Sequence, residues 1–300
     1  MTTLQRKIDF IGFITVERAN PNGDPLNGNQ PRVTYDGYGE ISDVCLKRKM
    51  RNRLLDMGEA ILVQSDDYKT DDYDSIRSRV LGNEAAASLL KGKDKNREAL
   101  FKDVACGAWL DVRSFGQVFA LRKGAGIDAV SIGVRGPVTI HTAVSAEPVM
   151  VSSIQITKSV NNEPGDKKGA DTMGMKHRVD FGVYKFQGSI NVQLAELTKF
   201  TEEDAEKIKK ALLTLFENDA SSARPEGSME VSQFYWIQHP NKTSTLSTAA
   251  VHKAVQLQRK PEIEMAKTFA DYEICEAGLD ALKQAEPGVL IEKYVDGLRV

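Results

Sequence analysis

Apolar runs of strand type open the chain and dominate its second half, with helical patterns between them. Residues 7–18, KIDFIGFITVER, carry Phe10, Phe13 and Val16 among closely spaced apolar positions, the pattern of a mostly buried strand. The loop that follows, RANPNGDPLNGNQPR (18–32), holds four Asn, three Pro, two Gly and a single acid, Asp24. Gly and Asn take positive φ readily and Pro fixes its own φ, so this composition sets an irregular but defined path. Ser42 or Asp43 is positioned to cap a helix running to about Met57, with Gly58 as its stop. Leu46, Met50 and Leu54 recur every fourth residue and form its buried stripe. Residues 59–106 alternate acidic loops with Ala/Leu-rich helical patches and read as a helical insertion.

From Ala108 the pattern turns to strands, AWLDVRSFGQVFAL and then AVSIGVRGPVTIHTAVSAEPVMVSSIQITKSV, both rich in Val, Ile, Thr and Phe. Turn-forming residues fill NNEPGDKKGADTMGMKHR, and VDFGVYKFQGSINVQLAEL resumes the strand pattern, so a long β-hairpin arm with a polar tip is expected. TEEDAEKIKKALLTLFEND opens on a Thr cap, carries acids in its first turn and sets Ile208, Leu212, Leu215 and Phe216 on one stripe. MEVSQFYWIQH reads as a further strand, and the last fifty residues mix short helices and a strand. The order suits an α+β fold with a ferredoxin-like core, the architecture shared by RNA-recognition motifs. Fold alone does not give function.

Composition is that of an ordinary globular chain, 41% hydrophobic and 27% charged, with formal net charge −2. That balance argues against a protein that coats nucleic acid indiscriminately, but the charges are segregated. DVCLKRKMRNR (43–53) has five basic residues and one acid, whereas DDYKTDDYD (66–74) has five Asp and one Lys. At 100° per residue Lys47, Arg48 and Arg51 cluster along one flank of the helix, and Lys49 and Arg53 lie on the other. Two basic rows beside a core-facing seam suit a phosphate backbone; a merely solvated helix face carries the same signature. A turn-rich loop just before such a helix offers backbone N–H groups to anions.

Catalytic and metal signatures are thin. Asn20, Asn22 and Asp24 alternate as calcium ligands do, but Gly23 is out of frame and Pro31 falls where the bidentate acid belongs. The histidines His141, His177, His239 and His252 have no ligand spacing, and Cys45, Cys106 and Cys275 form no metal or disulfide pattern, as in a reduced, cytoplasmic protein. No apolar leader or membrane-length run is present. Phe115 and Phe119, four apart in RSFGQVFA, are expected on one strand face as core residues rather than base-stacking ones. No metal, cofactor or catalytic residue is therefore expected.

Several stretches together resemble a known family. ANPNGDPLNGNQPRVTYDGYGEISDVCLKRKMRNRL, DVRSFGQVFA, GVRGPVTIHTAVSAEPV, DTMGMKHRVDFGVYKFQGSIN and SSARPEGSMEVSQFYWIQHPN are similar, in order and spacing, to the Cas7-family, Csd2-type backbone subunit of type I-C CRISPR effector (Cascade) complexes. The resemblance spans about residues 5 to 245. It implies a modified RNA-recognition-motif palm (1–57, 107–154 and 188–245), helical fingers (58–106), a β-hairpin thumb (155–187) and a C-terminal segment packed on the palm (246–300). It further implies a non-catalytic subunit that polymerises along CRISPR RNA in a helical array and leaves the guide free to pair with target DNA. The implied partners are an RNA-processing subunit, a large subunit, a small subunit and, indirectly, a recruited helicase-nuclease. On this resemblance Asn20, Asn22, Arg32, Lys47, Arg48, Lys49 and Arg51 border the RNA, Met173 is an apolar wedge between bases, and Lys176, His177 and Arg178 lie near the backbone. A competing expectation is a metal-dependent ribonuclease, since related subunits cut bound target RNA with a loop aspartate; Asp24 and His177 are its candidates.

Overall fold

The apolar run at the N-terminus becomes the central strand of the molecule. A computed structural model of the chain describes residues 2–91, 96–124, 126–157 and 173–299. Strand Ile8–Ala19 pairs antiparallel with Met173–Ile190 on one side and with Met229–Gln238 on the other. Val138–Ile140 and Ala143–Pro148 pair with Met173–Ile190, and Leu290–Val295 extends the sheet beyond Met229–Gln238. Tyr38–Ile41 and Leu298–Arg299 are the ends of this nine-stranded sheet. Side chains of a strand alternate between faces, so each strand here feeds two cores. Phe10, Ile14 and Val16 meet helix Asp43–Asp56 through Leu46, Met50 and Leu54, and helix Glu202–Leu213 through Ala205, Ile208 and Leu212. Phe10 stacks on Trp236 with ring centroids 6.0 Å apart. Gly12 is required opposite Phe186, because a Cβ there would stand 2.3 Å from the Phe186 ring.

The opposite face is buried as well. Ile11, Phe13, Val183, Tyr235 and Ile237 pack against Val251, Val255, Leu279 and Leu282 of the C-terminal segment. Its helix Ala277–Ala285 leads to Glu286, which accepts hydrogen bonds from Thr245 N–H (2.9 Å) and Ser244 Oγ (2.8 Å) and meets His239 Nδ1 at 2.6 Å. His239 Nε2 lies 2.8 Å from Asp9, so this buried histidine links the central strand to the C-terminal segment.

Helices Ile76–Gly82, Glu84–Lys91 and Arg97–Ala108 build a second core around Leu62, Val80, Phe101 and Trp109. Most of residues 108–115, expected as strand, are instead helical: Arg97–Ala108 is followed, after the extended Trp109, by helix Leu110–Phe115. The reason is tertiary. Asp111, fully buried, accepts hydrogen bonds from Leu62 N–H, Val63 N–H and Arg51 Nε, and that anchorage overrides a weak local β preference. The hairpin Gly116–Leu121/Val130–Arg135 pairs only with itself and joins the second core, where Phe119 meets Phe101 edge-on at 4.9 Å. Phe115 packs on the first core, so the two phenylalanines do not share a strand face.

The expected arm begins as a hairpin, Val151–Thr157 paired with Met173–Val179. Its tip, and the side chain of Met173, lie outside the described residues. Among the described residues no helix is long and apolar enough to cross a membrane, and no group of three or more His, Cys, Asp or Glu is arranged to hold a metal.

Candidate nucleic-acid interface

Three elements converge where the central strand ends. Ala19 pairs with Val179, so the loop 20–32 leaves the sheet beside the root of the arm. The same loop is fastened to the basic helix, since Asn22 Oδ1 accepts from both Ser42 N–H and Ser42 Oγ at 2.9 Å. Ser42 in turn caps the helix by accepting Cys45 N–H. Asn20 is buried, its Nδ2 donating to Asn29 O (2.7 Å) and its N–H to Ala223 O (2.9 Å). Asp24 Oδ1 accepts Leu26 N–H at 3.2 Å and Arg32 Nη2 at 3.3 Å, which shapes the turn Pro25–Asn27 before Gly28 (φ 57°) reverses the chain. The loop is therefore a braced lip. Asn20 and Asn22 brace it from within, and Arg32 is the part-exposed cation on it.

The basic helix divides its cations. Lys49 is only 4% exposed; it pairs with Asp219 and sits 5.5 Å from the Phe216 ring, and burial pushes its ammonium pKa below the usual lysine value. Arg51 turns inward to Asp111 (3.0 Å) and over Phe115 (5.1 Å). Arg53 donates to Thr214 Oγ1 at 2.8 Å. Lys49 and Arg51, expected to border RNA, are thus turned inward, Lys49 to Asp219 in the turn 218–224 and Arg51 to the buried Asp111. Lys47, part-buried and paired with Asp43, and the exposed Arg48, paired with Asp67 at 3.3 Å, are the cations of this helix that stay at the surface.

Sequence reading missed Arg224. It lies in the turn that receives Asn20 and shares Asp219 with Lys49 through its Nε (3.1 Å). A lone arginine in the Pro/Gly context SSARPEGS was its only signal. Tyr68 ties the insertion to the same turn by donating to Asp56 (2.7 Å) and accepting from Asn218 Nδ2 (2.8 Å); burial and the Asp56 carboxylate push its hydroxyl up to about 12.

On the arm the basic trio splits by strand alternation. Lys176 and Arg178 share a face with their cross-strand partners Ile154 and Ser152, whereas His177 points to the other face, hydrogen-bonded to Ser153 Oγ at 2.7 Å. Ile154 and Ile156 are 40% and 50% exposed, so that face combines cations with uncovered apolar surface. Arg178 donates to Ser152 Oγ (3.3 Å) and, with Arg18, Phe181 and Arg259, lines a cavity of about 680 Å³ at the arm root. Of the remaining histidines, His239 is buried in its carboxylate bridge, His252 contacts Gly188 O at 3.0 Å, and His141 is exposed with its ring edge-on to His252 at 5.5 Å.

Comparison with known proteins places this geometry in context. The profile of a family described as CRISPR-associated protein Cas7 matches residues 6–276. A curated relative, the CRISPR-associated protein Cas7 of Haloferax volcanii, is 28% identical over 235 residues, covering 74% of this chain and 67% of that protein. Two solved chains are similar at 15% identity. One, from a CRISPR RNA-guided surveillance complex, covers 96% of this chain and 88% of its own with a TM-score of 0.49. The other, from such a complex before nicking, covers 77% and 78% with a TM-score of 0.46.

Proposed function

The chain belongs to the Cas7 family of CRISPR-associated proteins, and on that premise we propose that it is the non-catalytic backbone subunit of a type I-C surveillance complex. In this reading copies of the chain polymerise along CRISPR RNA in the cytoplasm, beside RNA-processing, large and small subunits. The guide stays free to pair with target DNA in antiviral defence, and a helicase-nuclease is recruited to the assembled complex. The protein contributes shape and backbone contact while base pairing supplies sequence specificity.

The observation that carries the reading is the convergence of loop, helix N-terminus and arm root at one end of the central strand. Lys47 and Arg48 on the helix, Arg224 in the turn that receives Asn20, and Lys176 and Arg178 on the arm are among the cations these elements carry. Among the core strands, with Met229–Gln238 last, the order last–first–third–second and the two helices on one face support an RNA-recognition-motif palm. Such motifs stack bases on an open sheet face. Here the C-terminal segment buries that face, so the RNA path runs along the braced lip and not across the sheet. The helical insertion takes the role of fingers and the hairpin arm that of a thumb.

Charge reversal at Lys47 and Arg48 tests this. The double variant should keep the wild-type thermal melt, bind single-stranded RNA more weakly at every sequence, and lose up to about two units of salt slope. Wild-type affinity in that variant at physiological salt would overturn the assignment of the lip as the RNA path.

A further inference from the structure

A cavity of about 250 Å³ opens between the lip, the basic helix and the turn 218–224. Sites for drug-sized ligands run ~300–1,000 Å³, so this one suits a fragment of a longer chain rather than a whole small molecule. Arg48, Asn52 and Arg224 line it, as does Asp67, an exposed carboxylate. Lys49 and Asp219 line it too and are committed to each other; Arg224 holds the same carboxylate through its Nε alone (3.1 Å).

Asp67 is the informative member. A carboxylate among cations that face a polyanion repels the phosphates those cations attract, unless it accepts a hydrogen bond from the ligand. A backbone subunit must hold its guide irrespective of sequence, so the donor cannot come from a particular base. The donor that every RNA nucleotide carries, and DNA lacks, is the ribose 2′-OH. Arg48 lies 3.3 Å from Asp67, which sets a phosphate ligand and a hydroxyl acceptor side by side. Both side chains are largely exposed, and such a pair holds together weakly enough to be exchanged for ligand contacts.

We propose that this cavity seats one ribose–phosphate unit, with Arg48 and Arg224 on the phosphate and the Asp67 carboxylate accepting the 2′-OH, so that it selects RNA over DNA. The inference rests on the RNA-binding reading above and adds to it the chemistry by which the sugar is recognised. Asn52 lies on the same helix face one turn from Arg48 and is available to either group.

The test uses the purified full chain and three single-stranded probes of one sequence: RNA, DNA and 2′-O-methyl RNA. A hydrogen bond to a charged group corresponds to roughly tenfold in affinity. Wild type should therefore bind RNA about tenfold more tightly than either of the other two probes. Asp67→Ala should lose most of that preference, whereas Arg48→Gln should weaken all three probes alike and lower the salt slope by about one. Wild type that binds 2′-O-methyl RNA as tightly as RNA, or an Asp67→Ala variant that keeps the full RNA preference, would overturn the sugar subsite and leave RNA binding intact. Wild type that binds none of the probes would overturn the functional reading itself. The 2′-O-methyl probe requires no variant, so the result does not depend on Asp67→Ala folding.

Discussion

The basic helix Asp43–Asp56 and the arm root around Lys176–Arg178 look alike as runs of positive charge, yet the structure uses them in opposite ways. The helix packs on the sheet and is overlaid by the insertion and by the turn 218–224, so Lys49, Arg51 and Arg53 are drawn into internal bonds. At the arm root Lys176–Arg178 pair with Ser152–Ile154 just beyond the buried Val179, and Lys176 and Arg178 remain part-exposed. A count of cations in sequence thus overstates the charge a packed helix can present and describes a protruding hairpin more faithfully. Arg51 and Arg53 on the helix have become architecture, while Arg178 on the arm keeps a part-exposed side chain beside Ser152 and Asp180.

Breaking the inward set should give the largest effect. Asp111→Ala strands two backbone N–H groups and the Arg51 guanidinium in a buried site, a class of change that costs about 3–5 kcal/mol. A urea melt should show that loss, and a loss below about 1 kcal/mol would mean that Asp111 does not anchor the insertion. Lys49→Met comes next: it leaves Asp219 to Arg224 alone and should cost about 1–3 kcal/mol of stability while leaving the salt dependence of RNA binding unchanged. A reduced salt slope in that variant would return Lys49 to the RNA path. The arm should behave in reverse. Lys176→Ala and Arg178→Ala should each lower the salt slope by about one and barely move the melting temperature.

The smallest effect concerns the lid over the second sheet face. Burial alone would raise the Asp9 carboxyl, but hydrogen bonds from His239 and Lys7 outweigh it and hold its pKa below the usual range. Glu286 is likewise held down against burial by His239, Thr245 N–H and Ser244. A depressed carboxylate stabilises the fold fully above its unfolded pKa of about 4 and loses that contribution as pH falls through the folded value. Acidification below about pH 4 should therefore loosen the C-terminal segment before the helix side. Hydrogen exchange over residues 277–289 reads this, and Glu286→Gln should blunt it. An unchanged acid response in that variant would remove Glu286 from the latch.

Much of the scaffold was legible along the chain. The Leu46/Met50/Leu54 stripe, the Thr201 cap with its acidic first turn and the mostly buried first strand are short-range patterns, and each reappears in the structure. Helix Leu110–Phe115 was not legible, because its anchor, Asp111, finds its partners about 50 and 60 residues away. The candidate site was legible as a neighbourhood of loop and helix, and less so residue by residue. Asn20 and Asn22, expected as RNA contacts, brace the lip from within, a role the sequence did not signal, and Arg224 was invisible until folding brought its turn against Asn20.

The sequence by itself determined most of the strands and helices, helix Leu110–Phe115 excepted, and the apolar stripe of the main helices, because periodicity and capping act over a few residues. Only the tertiary structure decided which cations stay in water. That choice depends on buried carboxylates such as Asp111 and Asp219, contributed by distant parts of the chain, and on the cost of leaving a buried charge unpaired.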